Sequence, residues 1–139
     1  MKTKGIDEPK VKIDNIIRVD LDGDGEDEVL ISATNYSEKE EGAPMRSPAG
    51  SYSMVLLRRV VSGKVETQLV EGEFYPKAYD DDERFNAPNA YKVIAVFDLD
   101  GDGKMEVVVA SNYYEGEATT IYRCDPKKVE ALLSVSCGA

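Results

Sequence analysis

The chain has 139 residues, of which 27 are acidic and 17 basic, so its net charge is −10; it contains two cysteines and no histidine. This acidic balance argues against nucleic acid and anionic membranes as partners. No apolar run approaches the roughly 18 residues of a membrane span, so no membrane insertion is expected. Without histidine, no Ser-His or Cys-His catalytic pair can form.

The first part of the chain, about 10–76, carries short β-branched and alternating apolar runs, which are typical of strands. Residues 1–9 before it are polar and are expected to be frayed. Residues 37–50 are rich in Glu, Pro, Gly and Ser and predict a long exposed loop. The predicted strands of this part span 12–19, 28–35, 52–61 and 65–71.

A second irregular stretch, 75–89, is interpreted as a linker to a more compact second part, about 90–139. Residues 126–135 of that part also fit a helix, because Asp125 is a suitable N-cap and Pro126 suits the first helical position. A strand is preferred there, since the matching segment of the first part alternates as a strand does. The predicted strands of the second part span 91–97, 106–113, 119–124 and 129–135.

Two acidic nonapeptides recur in the two parts: residues 20–28 read DLDGDGEDE, residues 98–106 read DLDGDGKME, and seven of the nine positions are identical. Carboxylates stand at positions 1, 3, 5 and 9, and glycines, which permit sharp turns, at positions 4 and 6. Calcium takes six to eight oxygen ligands in a flexible shell. Because four crowded carboxylates repel each other unless a cation neutralises them, the pattern predicts a calcium loop rather than an acidic turn.

The flanking residues distinguish this loop from a helix-loop-helix calcium site. Such a site ends in a bidentate Glu at position 12, where this chain has Ile31 and Val109. Apolar β-branched runs precede and follow both nonapeptides, so each loop is predicted to join two strands.

A D-x-D-G-D-G-x-x-E loop between two apolar strands resembles the FG-GAP or VCBS-type repeat of β-propellers. Of the name-giving Phe-Gly and Gly-Ala-Pro elements only a fragment at 42–44 is present, so the VCBS-like variant is nearer. The resemblance implies an all-β fold of two four-stranded antiparallel propeller-blade-like repeats, each with a calcium loop between its first and second strands. It also implies two Ca²⁺ ions, held by the side chains of Asp20, Asp22, Asp24 and Glu28 with the Glu26 carbonyl, and by those of Asp98, Asp100, Asp102 and Glu106 with the Lys104 carbonyl.

Two blades cannot close a propeller, which needs about four to eight. The length favours a single domain over 1–139, with the two sheets packed against each other. The alternatives are a piece of a larger propeller and a ring completed by several chains, so homo-oligomerisation is left open.

The two cysteines are predicted to be free thiols. A turn at 125–128 would place Cys124 opposite Val129 and Cys137 opposite Gly116 on paired strands. At about 3.3 Å per residue the sulfurs would then lie roughly 25 Å apart, beyond the range of a disulfide. Two cysteines without histidine also do not make a zinc site.

These features predict a calcium-binding, non-enzymatic module that recognises a protein or glycan through loops such as 37–50 and 75–89. The alternatives are a structural domain that assembles into a larger surface complex and is stapled by calcium, and a calcium-assisted hydrolase. Residues 1–5 do not resemble a signal peptide. Free calcium outside cells is near the affinity of extracellular calcium modules. This level and the resemblance imply a secreted, periplasmic or cell-surface location with a role in adhesion, and a cytoplasmic location is left open.

Overall fold

Two four-stranded antiparallel sheets make up the computed structural model, which describes residues 1–36, 47–78 and 88–138. This confirms the all-β prediction, and each sheet takes its strands in chain order. The predicted loop 37–50 and linker 75–89 lie largely outside the described residues. The first sheet comprises β1 (Ile13–Val19), β2 (Glu28–Thr34), β3 (Ser51–Val61) and β4 (Lys64–Tyr75), and the second β5 (Ala90–Phe97), β6 (Glu106–Tyr113), β7 (Gly116–Asp125) and β8 (Lys128–Gly138).

Strand β8 settles the choice between strand and helix at 126–135 in favour of the strand. It pairs with β7 along its length after a turn at 126–127. A bulge at Leu132 shifts the register, so Cys137 lies opposite Glu117 rather than Gly116 as predicted, while Cys124 lies opposite Val129. Both cysteines are free thiols, as expected, with Cys124 buried and Cys137 exposed.

The main core lies between the two sheets. Strand β5 lies closest to the first sheet, against β2 and β3. Each buried Val or Leu side chain stabilises the fold by about 1.5–3 kcal/mol relative to leaving it in water. The buried side chains of this cluster are Leu21, Leu30, Val55, Leu57, Val70, Val93, Val107, Val109, Tyr122 and Cys124.

Two buried serines of the first sheet accept hydrogen bonds from the edge of the second. Ser32 Oγ accepts from the Val93 amide at 3.1 Å, and Ser53 Oγ accepts from the Tyr91 amide at 2.8 Å. Strand β5 is an edge strand, and its unpaired N–H groups would otherwise be buried without partners. These serines therefore fix the position of one sheet on the other.

The N-terminal residues, expected to be frayed, instead cover part of the opposite face of the first sheet. A short 3-10 helix, Lys2–Lys4, places Ile6 against Tyr52 and Met54. Ile6 is 4% exposed. An apolar side chain in a polar stretch thus anchors the segment, because burying Ile6 against the apolar residues of this face stabilises the fold.

The opposite face of the second sheet has no such cover among the residues that the structure describes. Ile94 and Leu133 are each 55% exposed and Val135 is 63% exposed. A row of paired residues across the four strands of this face, Ala95, Val108, Ile121 and Leu133, carries no charge.

No helix in the described part of the chain has the length and apolar character needed to cross a membrane.

Candidate metal centres

Each acidic nonapeptide forms the connection between the first and second strands of its sheet. The first aspartate of each loop accepts hydrogen bonds from the amides of the two glycines in that loop. In the first loop Asp20 accepts from the amides of Gly23 and Gly25, at 2.8 and 2.9 Å. In the second loop Asp98 accepts from the amides at the same two positions, 101 and 103, at 2.7 and 2.9 Å. Such side-chain bonds to the following backbone are the usual reason for aspartate in turns.

The last glutamate of each loop is buried at the start of the following strand. Glu28 is 5% exposed and Glu106 is fully buried. Their Oε2 atoms accept from the amides of Leu21 and Leu99, each at 2.9 Å. Burial raises the pKa of Glu28, the hydrogen bond from Leu21 opposes this, and the charge of Asp22 raises it further. A cation near these groups would offset the repulsion between the buried carboxylate and its charged neighbour.

Carboxylate oxygens converge in both loops. Those of Asp20, Asp22 and Asp24 lie within 4.8 Å of one another. Asp22 Oδ1 is also buried without a hydrogen-bond partner in the described part of the chain. In the second loop, one carboxylate oxygen from each of Asp98, Asp100 and Glu106 likewise lies within 4.8 Å of the others. Each cluster could hold a metal ion, and an all-oxygen donor set of this kind suits a hard cation.

The remaining predicted ligands lie in the loops but outside these two groups of three. Asp102 accepts from the Lys104 amide at 2.9 Å, as Asp24 of the first group accepts from the Glu26 amide at 2.7 Å. Glu28 stands beside the first cluster. The carbonyl ligands at Glu26 and Lys104 stay a prediction.

The two loops are in contact, which nothing in the sequence indicated. The Met105 amide of the second loop donates to the Leu21 carbonyl of the first at 2.8 Å. A Cβ atom on Gly23 would lie 3.2 Å from the Gly103 carbonyl oxygen. The first nonapeptide contains six acidic residues and no basic one, and the second contains four acidic residues and one lysine. Two strongly acidic loops therefore meet on one side of the molecule.

No family model, curated protein or solved structure matches this chain. The geometry of the loops therefore carries the functional interpretation.

Sequence reasoning missed one arginine on the third strand of each sheet, Arg59 on β3 and Arg123 on β7. Arg123 pairs directly with Glu106, and Arg59 follows Arg58, which pairs with Val29, so it stands at the level of Glu28. Each arginine lies two residues before the end of its strand, which is Val61 for β3 and Asp125 for β7. This shared position is the signal in the sequence that could have identified the two arginines.

The two arginines have different partners. Arg123 Nη2 lies 2.6 Å from Asp100 Oδ2 and 3.1 Å from Glu106 Oε1. The hydrogen bonds to Glu106 and then Asp100 raise the pKa of Arg123. Arg59 is 4% exposed and donates from Nη2 to the Cys124 carbonyl at 3.1 Å, which links the two sheets.

The tyrosines are largely structural where the chain is described. Tyr52 and Tyr122 are buried. Glu73 accepts from the hydroxyls of Tyr75 and Tyr91, at 2.6 and 3.0 Å, and from the Asn89 amide group. Burial and the charge of Glu73 raise the pKa of Tyr91. This network joins β4 to β5 and leaves few tyrosine hydroxyls for an outside ligand.

Proposed function

We propose that the two acidic loops bind calcium and that the ions lock the junction between the two sheets. The supporting observation is that three carboxylates converge within 4.8 Å in each of two loops that are hydrogen-bonded to each other. Bound calcium would supply positive charge and no chemistry beyond it. The proposed ligands are the side chains of Asp20, Asp22, Asp24, Glu28, Asp98, Asp100, Asp102 and Glu106 and the carbonyls of Glu26 and Lys104.

Electrostatic repulsion gives the magnitude of the effect. Two unit charges 4.8 Å apart repel by about 3 kcal/mol at an effective dielectric constant of 20. The Asp-to-backbone hydrogen bonds oppose this repulsion, at about 1.5–3 kcal/mol for each bond to a charged group. A divalent ion at the convergence point would remove the repulsion, because it attracts every carboxylate at once.

In this proposal each sheet with its loop is one blade of the FG-GAP or VCBS type. The order of elements supports it: four antiparallel strands in chain order, with the acidic loop between the first and second, twice in one chain. The module would be a non-enzymatic recognition domain for a protein or glycan. It would act outside the cell, where free calcium matches the affinity of such modules.

Titration calorimetry with calcium tests the metal sites. The unmodified chain is expected to bind two ions, and Asp20→Asn and Asp98→Asn are each expected to bind one. Magnesium should bind more weakly, because it demands a near-ideal octahedral shell and keeps several of its waters. Absence of calcium binding to the unmodified chain would contradict the proposal.

A second candidate function, assembly, is favoured by the exposed apolar face of the second sheet. Its central row carries no charge, whereas the chain as a whole carries −10. Two copies of so acidic a chain can approach closely only through a neutral surface. A second copy of this chain, packed symmetrically on the same face, therefore fits best.

Light scattering coupled to size exclusion tests this assembly. Leu133→Glu is expected to convert a dimer into a monomer, since it places a charge in the neutral row. The matched control is Val65→Glu, a similarly exposed apolar residue on β4 of the first sheet, which should leave the dimer intact. A monomer at all concentrations of the unmodified chain would exclude the assembly.

A further inference from the structure

We propose that Arg123 acts as an internal counter-cation of the second acidic loop, so that the two loops bind calcium with unequal affinity and the first fills before the second. The inference rests on the proposed function, because it concerns the same two metal sites. It adds an order of filling and identifies the residue that sets it.

In the second loop, the guanidinium already bonds two of the proposed ligands. Arg123 Nη2 donates to Asp100 Oδ2 at 2.6 Å and to Glu106 Oε1 at 3.1 Å, and Nε donates to the same Glu106 oxygen at 3.2 Å. The other oxygen of Glu106 accepts from the Leu99 amide. Both oxygens of the last ligand of this loop are therefore engaged within the protein.

In the first loop, the charge of the corresponding arginine lowers the pKa of Glu28, but the hydrogen bond of this arginine goes to another partner. Arg59 Nη2 donates to the Cys124 carbonyl, and its Nε and Nη1 atoms have no hydrogen-bond partner among the described residues. One oxygen of Asp22 is buried and unpaired. Among the described residues, the four side-chain ligands proposed for the first loop thus have no guanidinium hydrogen-bonded to them.

The net charges of the two loops also favour calcium binding at the first loop. The first nonapeptide has six acidic residues and no basic one, a net −6, and the second has four acidic residues and Lys104, a net −3. Calcium entering the second loop must also replace hydrogen bonds between a cation and two carboxylates. Bonds of that strength correspond to about a 10- to 100-fold difference in dissociation constant.

The experiment is a calcium titration of the unmodified chain, Arg123→Gln and Lys104→Gln. The lysine variant is the matched control, because it removes one positive charge from the same loop, and the Lys104 ammonium lies 3.8 Å from Asp125 rather than on a ligand. We expect two separated dissociation constants in the unmodified chain. Arg123→Gln should tighten the weaker one by about tenfold or more, and Lys104→Gln by clearly less.

Thermal unfolding gives an independent readout. Without calcium, Arg123→Gln should lower the Tm, since it removes the counter-charge of the buried Glu106 carboxylate. Calcium should raise the Tm of this variant by more than that of the unmodified chain. If this variant does not fold without calcium, Arg123→Lys replaces it. A lysine keeps the charge but not the fork that bridges Asp100 and Glu106, so an intermediate tightening is expected.

The outcomes separate the two proposals. No calcium binding to the unmodified chain would overturn the proposed function. Two ions bound with equal affinity, or a weaker second site in Arg123→Gln, would overturn only the role of Arg123, since the arginine would then support the ligands instead of competing with the ion.

Discussion

At the scale of single residues, the glycines determine the shape of both acidic loops. Gly23 and Gly25 have φ angles of +76° and +88°, in the left-handed region, and Gly101 and Gly103 repeat this at +78° and +84°. A residue with a Cβ atom loses about 1–2 kcal/mol in that conformation. Gly23 has a second constraint, since its missing side chain lets the Gly103 carbonyl of the other loop approach.

Gly23→Ala and Gly25→Ala form a matched pair that separates these two effects. Both should lose about 1–2 kcal/mol from the positive φ angle. Gly23→Ala should lose more, because its Cβ would meet the Gly103 oxygen at 3.2 Å, while nothing lies within 4 Å of a Cβ on Gly25. Urea unfolding in calcium-free buffer measures the difference. Equal losses would mean that the contact between the loops is not tight.

The residue scale also shows what a sequence can and cannot reveal about the site. The spacing of Asp20, Asp22 and Asp24 is local, so their convergence was predictable from one nonapeptide. Arg123 is 17 positions beyond Glu106 and reaches it only through the pairing of β6 with β7. Contacts that depend on strand register or on sheet packing leave no trace in the motif itself.

At the scale of elements, all eight strands were predictable because their β-branched runs alternate or are continuous. The ends of the strands were less predictable. Strand β4 continues to Tyr75, four residues past its predicted end, through Gly72, where a Cβ would lie 2.8 Å from the Ser53 carbonyl of β3. The glycine permits a close approach of the two strands. The N-terminal segment was misjudged because a single buried isoleucine gives no periodic pattern.

Replacing Ile6 tests the role of that segment. Ile6→Ala should destabilise the fold by about 2–5 kcal/mol, the usual loss for truncating a buried isoleucine. Val11→Ala, at a position 62% exposed, should stay within about 0.5 kcal/mol of the unmodified chain. Chemical denaturation measures both. A loss at Ile6 no larger than that at Val11 would mean that residues 1–6 do not protect the sheet face in solution.

At the scale of the whole molecule, the two acidic loops lie together at the junction of the sheets. The chain carries −10, and two divalent ions add +4, which gives −6. Leu21, which belongs to the first loop, is also part of the core between the sheets, and its carbonyl bonds the second loop. Ions at the loops would therefore stabilise the packing of one sheet on the other, and loss of calcium would weaken the whole fold.

Thermal unfolding in excess EDTA and in millimolar calcium tests this claim most directly, with the double variant Asp20→Ala/Asp98→Ala as the comparison. An ion that binds only the folded chain adds about 2.7 kcal/mol per site at a hundredfold excess over its dissociation constant. We predict one cooperative transition that moves to clearly higher temperature with calcium, and no such shift in the double variant. An unmodified chain that unfolds at the same temperature in both buffers would contradict the account, since the loops would then be acidic turns that bind no ion.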